Sequence, residues 1–123
     1  MNQDKFARLS SDELAEQFRN LALAQDQALL RDELTKFNKL FLEMEAVEAA
    51  LKSRPGDQRR RLLDLYSHEN VHVRLKAAEA TLAVAPEAAR NMLETIANSR
   101  KYPQAGHAGM ALNALDHGIF KPA

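Results

Sequence analysis

His68 and His72 stand four residues apart in the stretch HENVHV, a spacing that on one helix offers two imidazoles to a single metal ion. Asn70 reads as a turn residue between them, so the two rings are not expected to share a helical face. No acid-rich set of the H-E-x-x-H kind surrounds them. They read as solvent-facing turn histidines, and so do His107 and His117, ten residues apart. No metal or other cofactor is expected.

Arg54, Arg59, Arg60 and Arg61 form the densest run of charge. Consecutive helical residues splay by about 100° each, so at most two of them can face one partner. Arg74 and Lys76, then Arg100 and Lys101, would extend a basic strip along a turn edge. Such a strip is one route to nucleic acid, but a clearly basic domain or face is the usual footprint. The chain carries 17 acids against 17 bases. Residues 1–52 hold 10 acids and 7 bases, and residues 53–123 the reverse excess, 7 acids and 10 bases. Tryptophan is absent, and only Tyr66 and Tyr102 lie near these bases as stacking platforms.

Enzyme chemistry finds little footing. No serine sits in a strand-to-helix elbow. Gly106 and Gly109, in AGHAGMA, read as small residues that let helices pack closely. Glu43, Glu45 and Glu48 fall on an outer helical face, whereas acid–base catalysis needs carboxylates in a desolvated cleft. There are no cysteines, which excludes disulfides and thiolate metal sites. The expectation is a protein without catalysis.

The elements that would position these residues are clearly punctuated. Ser10 and Glu13 spell a capping box for a first helix running to about Leu29, with Leu14, Phe18, Leu21 and Gln25 on one face. A second helix carries Leu34, Phe37, Phe41, Met44, Val47 and Leu51 at intervals of three and four, and SRPGD stops it. Asp57 can cap a third, short helix through QRRRLLDLY. Asn70 can cap a fourth, from Val71 to about Val84. Pro86 and Pro103 open the fifth and sixth, and Gly118 closes the last. β-Branched residues are few and never alternate, so the fold is expected to be all-α, with about six helices in one domain. Neither a signal peptide nor a membrane span of about 20 apolar residues stands out, and the cytoplasm is the expected compartment.

The rear helices repeat. With an offset of 30, Leu63 falls on Leu93, Tyr66 on Ile96, Ala78 on Ala108, Leu82 on Leu112 and Ala85 on Leu115. A period of that length points to stacked helical pairs. Alanines at 77, 78, 80 and 83 would let neighbouring helices approach closely on both sides of the fourth helix, as in the middle of a solenoid.

Residues 59–86 resemble a HEAT repeat on Leu62, Leu63, the turn His68–Asn70, Val73, Arg74, Ala77, Ala78 and Leu82. The second unit departs from that pattern, having no Val-Arg before the sixth helix, and residues 1–54 lie outside it. The whole chain also resembles a small bacterial family of uncharacterised proteins with armadillo-type packing. These resemblances imply an α-α superhelix, with residues 1–54 as an N-terminal hairpin cap and 55–123 as two helix pairs. They also imply that Arg74 bonds an acid or carbonyl nearby, with Asp64 and Glu69 as candidates. The function expected is binding another protein in a groove lined by the fourth and sixth helices, with Arg74, Lys76, Glu79, His107 and Asn113 facing solvent there. Two alternatives stand beside it. One is nucleic-acid binding through the basic turn edge, as in HEAT-like DNA glycosylases. The other is a structural homodimer through the second helix, whose Leu40 and Leu42 lie off its main stripe.

Overall fold

The computed structural model describes residues 5–123. Six helical elements follow one another: α1 (Ser11–Leu30), α2 (Leu34–Ser53), a 3-10 helix (Gln58–Ser67), α3 (Val71–Ala80), α4 (Pro86–Ala97) and α5 (Gln104–Asp116). No strand occurs among the described residues. The fold is all-α. No helix among them is long and apolar enough to cross a membrane. The chain clusters into two compact units, one ending at Arg61 and the other beginning at Leu62.

The first unit is a hairpin of two 20-residue helices. Its capping box forms: Glu13 N donates to Ser10 Oγ at 3.0 Å, and Ser10 N donates to Glu13 Oε1 at 2.9 Å. Two of the orphan amides at the helix start are thereby satisfied. Asp32 adopts a left-handed φ of 58°, which reverses the chain, and Glu33 N closes the turn on Ala28 O at 2.8 Å. The inward face of α1 is Leu14, Phe18, Ala22, Gln25 and Ala28. Leu21, expected on that face, is only half-buried.

On α2 the stripe is rotated from the one the sequence suggested. Met44, Val47, Ala50 and Leu51 are buried, and Phe37 and Leu40 are half-buried. Leu34 and Phe41 are exposed. The series 37, 40, 44, 47, 51 has the same three-four spacing as the expected one, displaced to include Leu40. Two apolar stripes share this helix, and the hairpin buries only one of them. Arg54 then fastens the end of α2, its guanidinium donating to Phe6 O at 3.0 Å and to Ser11 Oγ at 3.3 Å.

The third element is a 3-10 helix of ten residues where an α-helix was expected. Its side chains bond at short spacing: Arg59 to Asp57, Arg61 Nε to Gln58 Oε1 at 2.8 Å, and Ser67 Oγ to Asp64 O at 3.1 Å. These separations suit a helix in which residues three apart eclipse one another.

In the second unit Asn70 caps α3 as expected, its Oδ1 accepting from His72 N at 2.8 Å and Val73 N at 3.1 Å. The helix ends at Ala80, one turn short of the expected Val84. Thr81 is fully buried, and its hydroxyl donates back to Ala77 O at 2.8 Å while meeting the Tyr66 hydroxyl at 2.6 Å. The chain turns there, with Val84 N and Ala85 N both bonded to Thr81 O. Pinning of this kind by a threonine competes with continuing the helix.

α3 packs against both α4 and α5. Six of its ten residues are buried, the other four are half-buried, and none is exposed. Ala77 and Ala78 are wholly enclosed and Ala80 nearly so, which is the use expected of small residues between close helices. Ala83 is exposed, because it lies in the turn after the helix. Leu75, Ala78, Leu82, Ala89, Leu93, Ile96 and Ala108 make one buried cluster, with Tyr66, Leu112 and Leu115 packed against it. Of the repeat pairs, Ala78 and Ala108 are equivalently buried, while a 3-10 helix in one copy stands where α4 stands in the other. α5 ends at Gly118, in the left-handed region with φ 66°, where Ile119 N bonds back to Ala114 O at 2.9 Å.

Candidate functional site

His72 is buried, at 3% exposure, which corrects the expectation of a solvent-facing turn residue. It sits in the first turn of α3, and its Nδ1 lies 3.2 Å from Nε2 of Gln104, itself 4% exposed at the start of α5. The pair joins two helices in the interior, satisfying polar groups that would be costly to bury alone. His68 instead accepts from Asn70 N through Nδ1 at 3.0 Å. His107 and His117 are exposed. No group of three or more metal-ligating side chains occurs among the described residues.

The arginine run is mostly committed to the fold. Arg59 is 6% exposed and grips Asp57 with two bonds, Nε to Oδ1 at 2.8 Å and Nη2 to Oδ2 at 2.6 Å. That fork holds the Asp57 carboxyl below the usual carboxylate range and pushes Arg59 further up. Arg61 pairs with Asp12, and Arg90 with Asp116 and Glu94. Arg60, Arg100 and Lys101 are exposed. Three of the four residues in the 54–61 run therefore have structural work within their own unit.

The five residues expected to line a groove do not converge. Lys76 and Glu79 form an ion pair at 3.4 Å, one helical turn apart. Arg74 precedes Lys76 by two positions, about 200° around the helix, so the two cations point to opposite sides of α3. Arg74 is half-buried, and its Nε is enclosed with no hydrogen-bond partner. No ion pair joins it to Asp64 or Glu69 among the described residues. His107 and Asn113 do share exposure, both on α5.

That outer face of α5 carries what the sequence reading overlooked. Tyr102 and Met110 are each 72% exposed. A side chain built at Gly106 would meet only the Tyr102 ring, at 4.0 Å, and one at Gly109 would meet nothing within 4 Å. The glycines therefore do not bring helices together, contrary to expectation. Gly106 leaves a gap on the surface between an aromatic ring and a thioether, flanked by His107 and Asn113. The spacing of Gly106 and Met110 was the available signal, since residues four apart lie on one helical face; Tyr102 precedes the helix, and its ring reaches that face beside Gly106.

The fold has a counterpart among known proteins. A family described as a domain of unknown function, DUF2019, matches residues 12–116. The chain belongs to the DUF2019 family. Its structure is also similar to the crystal structure of the protein RPA1889 from Rhodopseudomonas palustris CGA009, with a TM-score of 0.94 and 46% sequence identity. That likeness covers 96% of this chain and 98% of the other. No functionally curated protein matches the sequence. The DUF2019 match spans α1 to α5 and includes both faces described above, the enclosed α3 and the outward side of α5.

Proposed function

We propose that this DUF2019 chain is a non-catalytic protein-interaction module acting in the cytoplasm, and that its partner docks on the outer face of α5. One observation carries the reading: Tyr102 and Met110, each 72% exposed, flank the Gly106 gap beside His107 and Asn113. Amphipathic aromatic and polarizable side chains of this kind anchor protein interfaces. Neighbouring polar groups supply the hydrogen bonds of an interface rim. The enclosure of α3 between α4 and α5 supports a HEAT-like helical pairing behind this surface. Arg74, Lys76 and Glu79 then belong to the scaffold that holds α5 in place.

Replacing Tyr102 and Met110 together by aspartate tests the reading. The variant should keep its helical circular dichroism and lose the partners that the unaltered protein retains from a native lysate. An unchanged set of partners would remove α5 from the interface. Nucleic-acid binding is the weaker alternative, because Arg54, Arg59 and Arg61 already have partners in the chain. Retention on duplex DNA at about 50 mM salt, falling steeply as salt rises, would revive it.

A further inference from the structure

Of the six helical elements α5 is the least charged. Its thirteen residues include one Asp and no Glu, Lys or Arg, although these four types make up 28% of the chain. That one acid, Asp116, is already paired with Arg90 of α4. Gly106, Met110, Asn113 and His117 are all exposed, and their spacing of four, three and four puts them on one side of the helix. His107 and Asp116 fall about 90° to either side of that line. The middle of the docking face therefore offers a partner no acid, lysine or arginine.

Cations stand at both ends of it. Arg100 and Lys101 precede the helix and Lys121 follows it. All three are exposed, and none forms an ion pair among the described residues. Next to them in the chain are the exposed apolar side chains of Tyr102, Ile119 and Phe120. Both segments are tied to the helix: Ala105 N donates to Lys101 O at 2.8 Å, and Ile119 N to Ala114 O at 2.9 Å. About 20 Å of uncharged helix thus lies between positive groups. A centre depleted of charge inside a polar rim is the anatomy of a protein interface, and opposite charges across the rim select the partner and fix its register.

We infer that the protein segment docking on α5 is apolar in its middle and acidic at both ends. Its carboxylates meet Arg100 and Lys101 before the helix and Lys121 after it. The inference rests on α5 being the docking face. A nucleic acid fits this pattern less well, because phosphates recur along the whole strand while the length of α5 holds no lysine or arginine. A lipid surface also fits less well. An interfacial helix turns residues such as Leu, Phe and Trp outward, whereas Leu112 and Leu115 of α5 pack inward against the buried cluster.

Selecting displayed random peptides of about 20 residues, long enough to span α5 as a helix, on the immobilised full chain tests this without a known partner. Enriched peptides should carry Asp or Glu toward both ends and apolar residues between. Their affinity should fall about tenfold or more when Lys101→Glu and Lys121→Glu are combined, with circular dichroism unchanged. It should also fall as salt rises from ~50 to ~500 mM. Selection on the double variant should enrich Lys and Arg at the ends instead. Peptides without acidic ends, binding indifferent to the charge reversal, or a library that yields no binder would each overturn the inference. Met110→Asp separates it from the docking reading. Peptides that lack acidic ends yet are lost in Met110→Asp remove only the charge assignment, whereas peptides that Met110→Asp retains remove α5 as the docking face. Binding to phosphatidylserine vesicles that the double variant abolishes would give the face to a lipid surface and overturn the inference as well.

Discussion

The α1–α2 hairpin and the unit around α3 contain comparable amounts of apolar sequence and use it in opposite ways. Two long helices lying side by side offer each other one face, so α2 can bury Met44, Val47 and Leu51 while Leu34, Phe41 and Leu42 remain outside. α3 has neighbours on more than one side, and even its polar residues are at least half-buried. The difference teaches what a periodic pattern means. A stripe is informative for a helix with one inward face, but a helix enclosed all round shows no stripe, and its signature is the small size of its side chains. Surface left apolar in the first unit is available to partners. In the second unit such surface lies on α5 and at its two ends, at Tyr102, Met110, Ile119 and Phe120.

The contrast can be broken most easily at Leu82. This side chain is 5% exposed within the cluster around α3, so Leu82→Ala should cost ~2–5 kcal/mol. Leu42→Ala, measured at a concentration where the chain is a monomer, should fall within about 0.5 kcal/mol of the unaltered protein. Comparable losses at the two sites, read from urea unfolding, would erase the distinction between the units.

Enlarging an alanine probes the same point from the other side. Ala78→Leu forces extra volume between close-packed helices and should cost ~1–3 kcal/mol. Ala49→Leu on the exposed side of α2 should be close to neutral. Next in size is the cap of α3. Asn70→Ala leaves the His72 and Val73 amides without their acceptor, and a loss of ~0.5–2 kcal/mol is expected.

Tyr66→Phe should cost ~0.5–1.5 kcal/mol by removing the bond to Thr81. It should also change the pH dependence. Burial raises the Tyr66 phenol above its ordinary 10.0, and the Thr81 bond only partly offsets this. Below pH 10 the phenol is protonated in both folded and unfolded chains, and its contribution to stability is complete. As pH rises past 10 the unfolded chain loses this proton first, so the folded state is progressively destabilised until the folded phenol also ionises. Urea midpoints at about pH 9 and pH 11 should fall less for Tyr66→Phe than for the unaltered chain. An equal fall in both would place the responsible group elsewhere.

Much of the architecture was legible because helix ends are local chemistry. Ser10 with Glu13, Asn70, Pro86 and Gly118 all act where their residue types said they would. The end of α3 was not legible, because it is decided by a tertiary bond between Thr81 and Tyr66, fifteen residues apart. The inward side of α2 was ambiguous for a geometric reason: Leu40 and Phe41 are adjacent, each completes a three-four stripe, and only the position of α1 selects between them. His72 looked like a turn residue since its burial depends on Gln104, thirty-two positions away. The α5 surface was hidden by reading Gly106 and Gly109 as packing residues, when the four-residue spacing of Gly106 and Met110 already placed them on one face; the place of Tyr102 beside them was not legible, because that residue lies before the helix.

The claim on which the account rests is that the α5 surface meets a different protein. A photo-crosslinking residue placed at position 110, and activated in the native cell, tests it directly. The account predicts an adduct heavier than the chain's 13.8 kDa mass that contains a different protein. No adduct, or one holding only a second copy of the chain, would contradict it.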